Sequence, residues 1–271
     1  VWFSSVRIWD IIFYMTEWID VHAHLDKLED PVEVSLQKAR DAGVRRVFTI
    51  GTEPADFPVV LDIAKKYYPE VYCTLGVHPH EGIVYTDDVG KFIESHINDK
   101  EVVAVGEIGL DYYYETSPRA EQQHAFREQL KIAQKYKMPV QIHTRDAEED
   151  TVNILKEFNG EITGIIHCFT GTEWLAKECL ALGLNISISG VVTFKNAEEL
   201  RNVVRMVPLD RMHVETDSPF LAPIPMRGKK NTPAFVVHTA ALVADLKGIT
   251  VEQLAVQTRD NALKIFPKVQ W

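Results

Sequence analysis

The feature that most constrains this chain is an eightfold alternation of short β-rich runs with longer segments of helical spacing, beginning at Glu17. The runs are residues 18–22, 46–50, 71–77, 102–107, 140–143, 164–167, 185–189 and 212–215. Amphipathic stretches such as 31–41, 55–67, 119–136, 148–157 and 173–182 lie between them. A crossover between consecutive strands implies parallel pairing. Eight such units in 271 residues, with no composition break to mark a linker, favour a closed (β/α)8 barrel of the TIM type over two doubly wound halves.

In a barrel all strand C-termini open on one face, so residues far apart in sequence meet there. The residues of strongest chemical character stand at those ends. His22 and His24 come with the first run, His78 with the third, Glu107 with the fourth, His143 with the fifth, His167 with the sixth, and Asp217 with the eighth. A doubly wound sheet would spread the same ends along a crevice.

Asp20-Val21-His22-Ala23-His24 puts two imidazoles at i and i+2, on one face of a strand, where both can grip one ion. Asp20 shares that face and is expected to orient a histidine from behind. Glu107 ends an apolar run and needs a partner if buried. That partner is either an arginine such as Arg145 or a metal, and two carboxylate oxygens can bridge two cations. His143 and His167 taken singly read as core histidines. Ending successive strands, they read as ligands for zinc, iron, nickel or manganese, and the carboxylates keep magnesium open. Asp217 precedes Ser218-Pro219 at the rim, where it can act as a general base or cap the next turn. His78 and His80 could hydrogen-bond a phosphate. Arg145 with Asp146, and Arg227, Lys229 and Lys230, could clamp substrate or simply face solvent. Cys168 alternates away from His167 and is expected in the core. No P-loop, GxGxxG turn or nucleophile elbow is present.

A net charge of −10 excludes broad, non-specific coating of nucleic acid, which needs a basic face. It leaves room for a nuclease whose metals supply positive charge locally. The three cysteines, Cys73, Cys168 and Cys179, are odd in number and lack CxxC spacing, as expected of reduced thiols in a cytoplasmic protein. Residues 1–14 are aromatic and apolar, too short to span a bilayer and without a small-residue cleavage site. Residues 1–15 are therefore expected to form an N-terminal extension, or a short docking segment, ahead of a hydrolase barrel over 16–271.

Together these motifs resemble the TatD-type deoxyribonuclease family of metal-dependent hydrolases, over residues 18–266. The resemblance rests on Asp20-Val21-His22-Ala23-His24, Gly76-Val77-His78-Pro79-His80, Gly106-Glu107-Ile108-Gly109-Leu110-Asp111, His143-Thr144-Arg145-Asp146-Ala147, His167-Cys168-Phe169-Thr170-Gly171 and Glu215-Thr216-Asp217-Ser218-Pro219. The stretch Arg227-Gly228-Lys229-Lys230-Asn231 and Asn261-Ala262 look like the family as well. The resemblance implies two divalent cations, magnesium, manganese or zinc. One would be held by His22, His24, Glu107 and Asp217 and the other by Glu107, His143 and His167, with Glu107 bridging. It implies cleavage of phosphodiester bonds in DNA, often exonucleolytic. The acidic surface and a recessed barrel mouth add single-stranded DNA ends as the expected partner, with no membrane partner expected and a monomer compatible with the sequence. Asp217 would take the proton of the attacking water, while His78 and Arg145 stabilise charge on the phosphate. The competing enzyme reading is an amidohydrolase acting on a small amide, ester or lactone. Many such barrels bridge their metals with a carboxylated lysine, where this chain has Glu107. A binding protein without catalysis is a third reading, against which the complete ligand set argues.

Overall fold

Eight strands pair in chain order, every pair parallel: β1 (Trp18–Ala23), β2 (Val44–Ile50), β3 (Val71–Leu75), β4 (Val102–Asp111), β5 (Val140–Arg145), β6 (Gly164–Ile166), β7 (Asn185–Ile188) and β8 (Met212–Val214). They come from a computed structural model that describes residues 16–271, so the expected N-terminal extension lies outside the described residues. The ring closes where Ala23 bridges Ser218 in parallel. There the His24 amide donates to the Ser218 carbonyl at 2.7 Å and the Asp217 amide to the His22 carbonyl at 2.9 Å. The result is the expected (β/α)8 barrel.

Asp20 completes the closure. Its carboxylate accepts from the Thr216 amide at 2.9 Å and from Thr216 Oγ1 at 2.5 Å. Burial pushes this carboxyl up to about 8 in spite of those bonds. Asp20 therefore ties β1 to the segment after β8, and orients no histidine ring as the sequence suggested.

Seven helices separate the strands: α1 (Val32–Asp41), α2 (Phe57–Tyr67), α3 (Asp87–His96), α4 (Arg119–Tyr136), α5 (Glu148–Lys156), α6 (Glu173–Ala181) and α7 (Glu198–Met206). Two more, α8 (Val236–Lys247) and α9 (Val251–Ile265), follow β8. The helices bury their apolar faces on the strands, with Trp18, Phe57, Phe126 and Phe169 fully enclosed. At the opposite end from the site, Phe266 meets Phe48 edge-on at 5.0 Å. Lys268 Nζ there donates to the carbonyls of Ile97 at 2.5 Å, Val102 at 2.9 Å and Asp99 at 3.1 Å, satisfying the backbone that enters β4. No single helix among the described residues is long and apolar enough to cross a membrane.

Two register shifts prepare the site. Between Asp20 and Ala23 the pairing of β1 with β2 slips, and between Val105 and Ile108 the pairing of β4 with β5 slips. Bulges of this kind re-aim side chains, and His22 and Glu107 are the residues they turn. Beyond its bulge β4 runs on to Asp111, past the expected end at Glu107.

Gly109, opposite His143 in that extension, has φ +137, and a Cβ there would overlap the His143 carbonyl oxygen. Gly183 has φ +96, and a Cβ there would meet nothing within 4 Å. Gly183→Ala is expected to cost about 1–2 kcal/mol from backbone strain alone. Gly109→Ala adds a backbone clash and should cost more than about 3 kcal/mol. Urea unfolding of the two variants compares them, and equal losses would refute the close β4–β5 approach.

Candidate metal centre

Every strand end that the sequence marked opens into one cavity of about 680 Å³, lined among others by His24, His78, Glu107, His143, His167 and Asp217. His22 lies beneath them, fully buried. Glu107 is the hub. Its Oε1 lies 2.7 Å from His167 Nε2, 3.2 Å from His143 Nδ1 and 3.3 Å from His78 Nε2. Its Oε2 faces the other way, 3.4 Å from His22 Nε2. Asp217 Oδ1 stands 3.4 Å from His24 Nε2 and 3.7 Å from His22 Nε2. The alternative partner for Glu107, Arg145, is not used.

Hydrogen bonds behind the rings decide which nitrogens carry lone pairs toward the centre. Gln141, inside β5, donates from Nε2 to the Val21 carbonyl at 2.8 Å, so its Oε1 must be the atom 2.7 Å from His22 Nδ1. His22 therefore holds its proton on Nδ1 and presents Nε2. His143 Nε2 donates to Asp111 Oδ2 at 3.0 Å, leaving Nδ1 for the centre. His78 is the reverse case. Its Nδ1 accepts from the His80 amide at 3.1 Å, so Nε2 carries the proton and faces Glu107 as a donor. Burial pulls its pKa down to about 4, which keeps the ring neutral at pH 7.

Charge at the centre is set by the same neighbours. Burial acts to raise the Glu107 carboxyl, but His167 and His78 together hold it well below the usual carboxylate range. Asp217 is likewise kept low, against its burial, by the hydrogen bond with His24 and by His22. Burial disfavours charge on His167, yet Glu107 and Glu215 raise its pKa well above the ordinary value. An ionised, enclosed carboxylate among imidazoles is the environment a cation satisfies.

The donor set fits metal. His22 Nε2 is fully buried and makes no hydrogen bond. Among the described residues, three groups each bring their ligand atoms within 4.8 Å of one another: His22, His24 and Asp217; His78, Glu107 and His143; and His22, His167 and Glu215. The third is better explained as support. Glu215 is fully buried and already accepts from Ser187 Oγ and the Cys168 amide, both at 2.5 Å, while standing 3.4 Å from His167 Nδ1. A carboxylate behind a histidine fixes its orientation. In the second group His78 presents a proton, so the lone pairs beside Glu107 Oε1 come from His143 and His167.

The family model described as TatD related DNase matches residues 19–267. The chain belongs to that family. It is similar to the uncharacterized metal-dependent hydrolase YabD of Bacillus subtilis (strain 168), 38% identical over 250 residues that make up 91% of this chain and 98% of that one. It is also similar to the 3'-5' ssDNA/RNA exonuclease TatD of Erwinia tasmaniensis, at 34% identity over 85% of this chain and 92% of that protein. Among solved structures, the TatD homolog YJJV of Escherichia coli K12 superposes with a TM-score of 0.86 at 30% identity, covering 92% of this chain and 98% of that one. This TatD-family chain is a metal-dependent hydrolase with a TIM barrel.

Other sequence expectations meet the structure unevenly. Arg145 lines the cavity, but Asp146, Lys229 and Lys230 do not. Lys230 instead reaches Glu29 at 3.6 Å, and Arg227 lies over the Phe194 ring at 4.1 Å. Cys168 is a correction. It lines the cavity, because β6 ends at Ile166 and a positive φ of 41 at Cys168 breaks the strand alternation that would have sent it to the core. Asp111, Gln141 and Glu215 were not singled out as functional from the sequence. The legible signal was a polar residue inside or ending an apolar strand.

A carboxylate with each oxygen facing a different histidine group should be the residue on which metal content depends most. Glu107→Gln is expected to lose activity more completely than His22→Ala and to lower the metal content measured by elemental analysis. Two ions per chain with near-normal turnover in that variant would remove the bridging assignment.

Proposed function

We propose that this TatD-family hydrolase cleaves phosphodiester bonds of single-stranded DNA from an end, as a deoxyribonuclease with two divalent cations. One is held by His22, His24, Glu107 and Asp217, the other by Glu107, His143 and His167. The observation that carries this reading is the division of Glu107, with Oε2 toward His22 and Oε1 toward His143 and His167. Magnesium, manganese or zinc bound there would lower the pKa of water and neutralise a phosphoryl oxygen.

The chain's own groups supply the rest. Asp217, held ionised, takes the proton of the attacking water as general base. His78 directs the Nε2 proton into the cavity, where a phosphate oxygen can accept it as Glu107 does now. Arg145 lies over the Tyr113 ring at 3.9 Å, which fixes a permanent positive charge at the rim. With a net charge of −10, binding has to be local. A cavity of 680 Å³ is the size that encloses one small ligand, so a flexible strand end reaches the centre and a stacked duplex does not. The similarity to the Erwinia 3'-5' ssDNA/RNA exonuclease TatD supports the same substrate class. Free thiols at Cys73, Cys168 and Cys179 suit a cytoplasmic enzyme.

The test is metal-reconstituted protein on end-labelled single-stranded DNA beside a panel of small amides and esters. Progressive shortening of the strand is expected, with Asp217→Asn slower by about 10²–10⁴-fold. The salt dependence of binding should be shallow, near −0.7 per phosphate and equivalent to about two to four phosphates. Intact DNA alongside efficient amide or ester hydrolysis would move the protein to the small-molecule amidohydrolase reading, with the same residues as ligands.

A further inference from the structure

Two exposed aromatic side chains stand at opposite ends of the metal centre. Tyr114 is 59% exposed and Phe220 51% exposed, and both line the cavity. Tyr114 meets His80 edge-on at 5.4 Å, and His80 shares Asp111 with His143, on the side of Glu107 Oε1. Phe220 meets His24 edge-on at 5.7 Å, and His24 pairs with Asp217, on the side of Oε2. Leaving a phenyl ring half in water forgoes the burial that stabilises most aromatics, so two of them on one active-site lip point to a ligand with flat apolar faces.

Both rings are held in place by the backbone of the centre itself. Asp111 Oδ1 accepts from the amides of Tyr113 at 3.0 Å and Tyr114 at 2.9 Å, while Oδ2 of the same group takes His143 and His80, each at 3.0 Å. The Phe220 amide donates to the Asp217 carbonyl at 2.9 Å, and Asn231 Nδ2 clamps the Phe220 carbonyl at 2.6 Å. Arg145 lies over the Tyr114 ring at 4.8 Å as well as over Tyr113, stiffening that side and adding a cation beside the ring face. Each ring is thus set at a fixed offset from a residue of the metal centre.

We propose that Tyr114 and Phe220 are stacking platforms for the nucleobases on either side of the phosphodiester at the metal centre, and so select unstacked single strands. The proposal rests on the nuclease reading for its ligand. Stacking is tolerant of sequence because every base has a π-face, and in a duplex those faces are already occupied.

The test uses metal-replete protein and a single-stranded oligonucleotide whose terminal linkages are phosphorothioates to suppress cleavage, with 2-aminopurine as the terminal base. A matched oligonucleotide carries abasic residues at its last two positions and is measured by competition. The wild type is expected to quench the 2-aminopurine and to bind the base-bearing strand about 5- to 150-fold more tightly per stacked base than the abasic one. Y114A and F220A should each lose the part of that preference its own ring supplies, the double variant should lose all of it, and Y114F and F220Y should keep it. Equal binding of the two strands by the wild type, or a preference that survives both alanine changes, overturns the proposal. Cleavage of an unmodified strand is scored separately. Cleavage without base preference leaves the nuclease reading standing and removes the platforms, whereas base preference without cleavage does the opposite.

Discussion

The structure is organised around one carboxylate that the fold deprives of water and surrounds with imidazoles. Glu107 is 3% exposed, with His78, His143 and His167 within 3.3 Å of one oxygen and His22 3.4 Å from the other. An ionised group in that position is stable only with cationic partners. Against the burial that lowers both, the surrounding carboxylates raise the pKa of His167, through Glu107 and Glu215, and of His143, through Asp111 and Glu107. A cation held there would supply the same compensation with greater charge.

Holding four strands' side chains to one carboxylate requires more than the barrel alone provides. The register shifts in β1 and β4 turn His22 and Glu107 toward the mouth. Gln141 of β5 grips both the His22 ring and the Val21 carbonyl, joining strands that are not neighbours in the sheet. Glu215 fastens the His167 side to the segment after β8, and Asp20 fastens that segment to β1. Barrel closure and the orientation of the candidate ligands are therefore one network, and a change behind one of these histidines is felt at the ring seam as well.

Much of this was legible in the sequence because a (β/α)8 barrel converts a strand-end position into a spatial address. His22, His24, His78, Glu107, His143, His167 and Asp217 could be assigned to one face from alternation alone. What escaped were contacts between strands distant in order. Nothing local to Val140-Gln141-Ile142 says that the glutamine reaches β1, and Asp20 touches the backbone of its neighbour His22 but holds Thr216 across the seam, not a histidine ring. Cys168 misled because period-2 reasoning holds only while the strand lasts, and β6 is three residues long. The α3, α7, α8 and α9 segments were not singled out. Gly90 at the centre of α3 weakens its helical signal, and in the fold that glycine packs against Tyr85. The exposed rings of Tyr114 and Phe220 were invisible for a simpler reason: exposure is a property of the folded surface.

The most direct measurement is anomalous diffraction at the manganese or zinc edge from crystals grown with that metal. Two peaks are expected about 3.5–4 Å apart, one beside His22, His24 and Asp217 and the other beside His143 and His167, with Glu107 in contact with both. A single peak, or two peaks of which one lies away from Glu107, would contradict the bridging carboxylate on which the proposed chemistry depends.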